Sequence, residues 1–388
     1  MSTATLKTFI NEPAYKAARA ASANIERHFA NQITEAAKRG EADLATEPKR
    51  AMIETIIDTA FWASLRKEEG HSPKISLAFM SPEQSKQALL FERRFPLKAE
   101  KLTKLAPAVE RSGIHLGVWY DEQGLYIWGT THTLPAFCFV LEVIEPGVLV
   151  VKHRRTDGFG KYVNVAVLNG DQVKVVDELS ITLPDCPAIL NSLLGFTSAT
   201  AINDSVSLHV QLAVSMRKHG HGGTLVVVPS AHEQWRESVI HPISYSIKPA
   251  FSGLSRLMTQ HVDQKSLSLW QEELNDEVDC VAGLTAVDGA TIINDKHELL
   301  AFGAKLTRMP GRESVKQVML TEPIIDSNAE IVPPSFIGGT RHFSAAQFVY
   351  DQRDAFALVA SQDGRFTIFS WSPCDDIVHA HRVDTLLL

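Results

Sequence analysis

Apolar and polar positions along the chain change period several times, and each change marks an element. From Pro13 to Arg39 the chain is rich in Ala, Glu and Lys and reads as a helix. From about Pro48 to Glu69, Ile53, Ile56, Ile57, Ala60, Phe61 and Leu65 recur at helical spacing, which predicts a second helix with one face on a core and Gly70 as its stop. The period then shortens to two. Strands are expected over Ile75–Met80, Ile114–Tyr120, Leu125–Trp128, Phe137–Val143, Gly147–His153, Tyr162–Leu168 and Val173–Val176. Asp121–Gly124 and Asn169-Gly170 have the composition of hairpin turns. The first half therefore reads as an α+β domain with a meander sheet.

After a loop around Pro184–Gly195, helical spacing returns over Asp204–Lys218, followed by the wholly apolar strand Thr224–Val228. Residues Pro229–Pro249 read as irregular. Helices are expected over Gly253–Val262 and Ser266–Val281, and strands over Ala290–Asn294 and Leu299–Leu306. Thr307–Pro334 is long, polar and Pro-containing, either a loop over a site or a short added hairpin. A helix follows at Thr340–Tyr350, and Ala355–Ser361 with Phe366–Trp371 form a hairpin about Gln362-Asp363-Gly364. Alternating helices and apolar strands predict a mixed α/β domain from roughly Ala201 onward, with a twisted sheet flanked by helices. The expected organisation is thus two domains, 1–200 and 201–388.

Composition narrows the classes. The chain has 388 residues, 45% hydrophobic and 21% charged, which is ordinary for a globular protein. A formal charge of −7 argues against bulk attraction to nucleic acid or an anionic membrane. The basic run Lys152-His153-Arg154-Arg155 reads as a solvated loop that can bind a phosphate. The four cysteines, Cys138, Cys186, Cys280 and Cys374, show no C-x-x-C spacing, so a disulfide framework or zinc site is not expected, and a reducing cytoplasm is. No stretch approaches the ~20 apolar residues of a membrane span, and Met1–Asn11 has no apolar leader character.

Two short motifs some fifty residues apart carry the candidate chemistry. Asp288-Gly289-Ala290 lies between apolar strands, where a carboxylate is costly unless it is paired or metal-bound. Gly338-Gly339-Thr340-Arg341-His342 opens a helix. Its glycines let backbone approach a phosphate, Arg341 can grip phosphate oxygens in a bidentate fork, and His342 can donate a hydrogen bond or serve in proton transfer. The helix N-terminus adds its dipole. Together the motifs suit a nucleoside triphosphate with a divalent metal.

These two motifs in this order resemble the diadenylate cyclase (DAC) domain family. Gly222–Val228, Phe302-Gly303-Ala304-Lys305-Leu306 and Ala360-Ser361-Gln362-Asp363-Gly364 extend the similarity, which spans about Ala201–Leu388 with Ser230–Trp270 looking like an insertion. The preceding half, through Ala51–Glu69, Ile114–Trp128 and Glu145–Asn164, is similar to the sensor-type domain called DACNV. The resemblance implies that two ATP-loaded domains meet face to face, each 3′-hydroxyl attacking the partner's α-phosphate to give cyclic di-AMP and two pyrophosphates. It implies Mg2+ or Mn2+, a homo-oligomer of at least two copies, and an unknown ligand or protein partner at the N-terminal domain. By the same resemblance Asp288 and Asp363 hold the metal. Asp288, Arg341 and His342 are catalytic, and Gly289, Ala290, Gly303, Ala304, Leu306, Gly339, Thr340 and Ser361 lie along the nucleotide.

The chain departs from the family pattern at three points. Phe343 stands where a second arginine is common, Val287 where a histidine often precedes Asp-Gly-Ala, and Gln362-Asp363 where two glutamates are common. Ser344, Lys248 and Arg308 are candidate replacements for the missing phosphate contact. A nucleotide-binding domain without turnover, and a cyclase making a different dinucleotide, are the competing expectations.

Overall fold

The computed structural model describes residues 14–68, 70–154, 162–177, 204–260 and 268–387. The expected loop at 184–195 lies outside them. The chain divides into two compact units after Val176, each with its own mixed sheet, and the described residues contain eight α-helices. None of those helices is long and apolar enough to cross a membrane.

In the first unit, helix α1 (Lys16–Lys38) buries Ala18, Ala21, Ile25 and Phe29, an apolar stripe at three- and four-residue spacing. It ends at Gly40, whose φ of +75° suits a residue without a Cβ. Helix α2 (Arg50–Ser64) buries Ile53, Ile56, Ile57 and Ala60. The sheet contains β1 (Ile75–Phe79), β2 (Leu89–Pro96), β3 (His115–Asp121), β4 (Gly124–Thr131), β5 (Phe139–Glu145), β6 (Val148–Arg154), β7 (Tyr162–Asn169) and β8 (Gln172–Val175). Their order is β2-β4-β3-β1-β5-β6-β7-β8, so β5 to β8 form a meander. The meander is not continuous, because β1 inserts between β3 and β5 and runs parallel to β3, with Leu77 opposite Leu116. Helix α1 lies against β7 and β8, and α2 against β5 and β6.

Two elements of this unit have no sequence expectation. Strand β2 is an edge strand with Leu89 and Leu90 exposed, so it lacks the half-buried alternation that marks a strand. Helix α3 (Ala99–Leu105) is too short to show a full helical period.

Among its described residues, the second unit runs first through α4 (Asp204–Lys218) and β9 (Gly223–Val228). It continues through β10 (Tyr245–Phe251), α5 (Gly253–Met258), α6 (Ser268–Leu284), β11 (Ala290–Asn294) and β12 (Leu299–Ala304). Then come β13 (Val318–Thr321), β14 (Glu330–Val332), α7 (Pro334–Ile337), α8 (Thr340–Asp351), β15 (Phe356–Ala360), β16 (Phe366–Ser372) and β17 (Ile377–Arg382). The sheet order is β10-β12-β11-β9-β15-β16-β17-β13-β14. Central strand β9 is buried along its whole length, which explains its unbroken apolar run. Val226 and Val228 join Ile292, Ala357, Val359, Phe369 and the α8 residues Phe348 and Val349 in one core cluster. Alternation sends Leu225 and Val227 to the opposite face.

Two findings here correct the sequence reading, and a third decides between its alternatives in favour of the added hairpin. The segment expected to be irregular contains β10, which pairs antiparallel to β12 as an edge strand. The polar stretch 307–334 resolves into the added hairpin β13–β14, docked parallel to β17 through Val318 opposite Val378. Strand β17 itself was not expected, and its polar-looking Ile377–Arg382 run is buried through His379 and His381.

Candidate functional site

Antiparallel β11 and β12 bring Ala290 opposite Ala304, and parallel β9 places Thr224 beside Ala290. These small side chains leave room at one end of the sheet, and β15 adds Ala360. A cavity of about 450 Å3 opens there, a size suited to a small-molecule ligand. Its walls come from both sequence motifs, from the end of β12, from the turn after β15 and from Ile240.

The turn Asp288-Gly289 requires glycine. Gly289 has φ +115°, and a Cβ there would lie 2.4 Å from the Gly303 carbonyl carbon. The two glycines thus let β11 and β12 close at the cavity edge. Asp288 projects from this turn, exposed, and its Oδ2 accepts a hydrogen bond from Lys305 Nζ at 2.7 Å. That bond, with the Lys305 charge, holds the Asp288 carboxyl below the usual carboxylate range.

Opposite lies the start of α8. Its N-cap is Gly339, and no side chain caps it. The N–H groups of Gly339, Thr340, Arg341 and His342 have no intrahelical acceptor, and all four residues line the cavity. This is a ready anion site with the helix dipole behind it. Arg341 adds a guanidinium at the rim. His342 is buried, packs edge-on to Phe369 at 6.2 Å, and its Nε2 has no hydrogen-bond partner. Burial lowers its pKa while Asp363 opposes that shift, so the imidazole is neutral at pH 7. A Cβ at Gly338 would meet His342 Nδ1 at 2.4 Å, which explains why the ring is backed by glycine.

Ten of the expected site residues therefore share one cavity: Asp288, Gly289, Ala290, Ala304, Leu306, Gly339, Thr340, Arg341, His342 and Ser361. Gly303 supports its edge from behind Gly289 without lining it. Asp363 does not line it either. Its carboxylate is engaged first by the Ser361 side chain and then by Arg365, which lies 3.4 Å away, and both keep its pKa low. Of the candidate replacements for the missing charge, Ser344 lines the cavity and Lys248 and Arg308 do not. Thr224, Ile240, Lys305, Ala360 and Gln362 line it without having been expected. Lys305 was readable as a basic residue two positions after Gly303 at a strand end. Ile240 carries no sequence signal, because it arrives through a short bridge of Val239 to Leu306 and an N–H bond to the Lys305 carbonyl.

Among the described residues, no three His, Cys, Asp or Glu side chains converge as a protein-only metal cage. A magnesium-type ion needs none, since it takes one or two carboxylates and completes its shell with phosphates and water. The ionised Asp288 at the mouth of an anion-receptive cavity fits that donor set. Asp363 would have to leave Ser361 and Arg365 to join it.

With this geometry in place, comparison with known families bears on the other unit. Residues 42–132 match the family described as probable sensor domain DACNV. No curated protein matches the chain. The DACNV stretch runs from before α2 through β4 and includes the parallel β1–β3 pair, so the first unit carries a sensor-type domain and the second unit follows it.

Proposed function

We propose that the chain is a diadenylate cyclase, joining two ATP molecules into cyclic di-AMP with release of two pyrophosphates, under the control of its N-terminal sensor unit. The observation that carries this reading is the convergence of Asp288 with the uncapped N-terminus of α8, Arg341 and His342 around one cavity. In this reading the open N–H groups and Arg341 hold the triphosphate and bear the charge that grows as pyrophosphate leaves. Ala290, Ala304, Leu306 and Ile240 pack against the nucleoside. Asp288 would hold Mg2+ or Mn2+, which neutralises phosphate charge when bound. Neutral His342, with an unpartnered Nε2, offers a hydrogen bond or a proton acceptor beside the phosphates.

One cavity holds one ATP, so the reaction needs a second copy whose cavity faces the first. Each 3′-oxygen forms a bond to the other nucleotide's α-phosphorus as the bond to pyrophosphate breaks, and positioning supplies most of the acceleration. A homo-oligomer of at least two copies follows, working in the cytoplasm where ATP is supplied.

A second reading has its own observation. Phe343, partly exposed in the first turn of α8, stands where the resembled family commonly carries arginine. A domain short of that charge would bind ATP and signal through the complex without turnover. Titration with ATP and Mg2+ tests what both readings share. Binding should weaken about tenfold or more in Arg341→Gln, as expected for the loss of a charge-assisted contact. Unchanged ATP affinity in that variant would sink the nucleotide assignment, and product analysis separates the two readings.

A further inference from the structure

The first unit holds a cavity for which the nucleotide chemistry has no use. It measures about 340 Å3 and is lined in part by Asp43, Lys86, His132, Arg154 and Tyr162. Its walls are pinned by backbone. Ala45 N–H donates to the Ala136 carbonyl at 2.9 Å, and Ala136 N–H donates to the Asp43 carbonyl at 3.0 Å. Arg154 Nη1 donates to the Leu134 carbonyl. Arg154 and Tyr162 are register partners at the end of the β6–β7 ladder, which puts them side by side on one face. Asp43 and nearby Phe137 have φ of 62° and 57°. An aromatic residue in that region is a true outlier, of the kind held in place by surrounding structure and concentrated at ligand sites.

Behind Tyr162 runs a hydrogen-bonded relay, and its direction follows from assigning the single Ser76 proton to the charged Glu142 carboxylate. Lys152 Nζ lies 2.5 Å from Glu142, so Glu142 is a carboxylate and only accepts. The Ser76 hydroxyl donates to Glu142 at 3.4 Å. Its oxygen is then the acceptor for His115 Nδ1–H at 2.7 Å. His115 is neutral, burial pushing its pKa down to about 4, so its Nε2 is an acceptor. Tyr162 therefore donates its hydroxyl proton to Nε2 at 2.9 Å. Burial, then the Glu142 charge, push the Tyr162 phenol up to about 12, so it keeps that proton. With its proton committed, the phenol oxygen can only accept from a ligand.

We propose that this cavity binds a small anion that carries its own N–H or O–H donor, the anionic group held by Arg154 and Lys86 and the donor by the Tyr162 oxygen. Lys86, now paired with Asp43 at 3.1 Å, is an exposed cation free to turn to a ligand. Hydroxy- or amino-carboxylates and protonated phosphates share this chemistry. Binding rests on the cavity alone. The step from binding to regulation rests on the proposed function, in which this unit reads a signal for the second.

Calorimetric titration of the full chain with four probes tests it: hydrogenphosphate against sulfate, and glycolate against acetate. Within each pair the second probe lacks the donor. The same titrations on Arg341→Gln gauge the contribution of the nucleotide site, and binding that weakens in Lys86→Gln and Tyr162→Phe but not in Arg341→Gln belongs to the first unit. Hydrogenphosphate or glycolate should bind saturably, about tenfold tighter than its donor-free counterpart. Tyr162→Phe should erase that preference, and Lys86→Gln and Arg154→Gln should each weaken binding about tenfold. Whichever probe binds tighter identifies the phosphate or the carboxylate class. No saturable binding of any probe, equal binding within each pair, or binding unchanged in both Tyr162→Phe and Lys86→Gln overturns the proposal. Those two variants keep the test decisive even where Arg154→Gln disturbs the Leu134 loop.

Discussion

Lys305 Nζ sits 2.7 Å from Asp288 Oδ2, linking the residue after β12 to the residue that opens the turn into β11. Both side chains are exposed, so the pair adds little to the fold. Its consequence is electrostatic. A cation already neutralises the carboxylate, and an arriving metal–nucleotide complex would take that carboxylate and turn Lys305 toward phosphate. Lys305→Gln should therefore keep a melting temperature within about 2 °C of the wild type. It should weaken ATP binding in the presence of Mg2+, which calorimetry would read. Equal or tighter ATP binding would show that Lys305 blocks the site rather than serving it.

Gly289 is where backbone geometry is least forgiving. An alanine there must adopt φ near +115° and overlap the Gly303 backbone. Gly289→Ala should cost about 3 kcal/mol or more and move the β11–β12 edge of the cavity. Guanidinium unfolding checks this, and an unchanged midpoint would mean that the turn is built differently.

The segment that delivers Ile240 is held by a buried bond. Gln352 Nε2 donates to Ser238 Oγ at 2.9 Å, and Thr307 N–H donates to the Ser238 carbonyl at 2.9 Å. Gln352→Leu leaves the Ser238 hydroxyl without that donor and should destabilise by about 1–3 kcal/mol. It should also raise hydrogen exchange at Ile240, whose amide bonds the Lys305 carbonyl at 2.9 Å. Exchange unchanged at Ile240 would show that Gln352 does not hold the segment.

Three buried histidines give the protein an acid-sensitive stability. Burial lowers His115 to about 4 and His209 and His381 to about 3, with Lys152, His297 and His379 respectively adding repulsion. Each is neutral when folded and takes up a proton when unfolded. Their stability contribution is thus complete above the unfolded value near 6.5 and is lost as pH falls from there toward the folded values. Each should contribute a slope of about 1 kcal/mol per pH unit around pH 5. Unfolding midpoints at pH 7, 6 and 5 test this, and His209→Phe should remove one share in the second unit. A flat profile would contradict the neutral assignments.

Much of the fold was legible because periodicity reports burial. Helix α2 buries Ile53, Ile56, Ile57 and Ala60 of its expected face, with Leu65 exposed just past its end, and β5 to β7 bury most of their apolar positions. The misses share a physical cause. Strands β2 and β10 lie at sheet edges, where exposure removes alternation. Strand β17 hides histidines that find partners when folded, Thr321 on the neighbouring β13 for His381 and Asp375 four residues earlier for His379. At the site, the motifs placed Asp288 and the start of α8 because glycine turns and helix entries leave local signatures. Ile240 and Thr224 reached the cavity through sheet pairing and a nonlocal bridge, which no local pattern encodes. Asp363 was expected as a metal ligand, yet it is engaged by Ser361 and Arg365, its neighbours in the turn.

The most direct test of the central claim is product analysis. The wild-type chain and Asp288→Asn would be incubated with ATP and Mg2+ or Mn2+, with products identified by mass and circular dichroism confirming that the variant is folded. The account predicts cyclic di-AMP and pyrophosphate from the wild type and none from Asp288→Asn. Equal product from both, or ATP bound by the wild type with no dinucleotide formed, would contradict it.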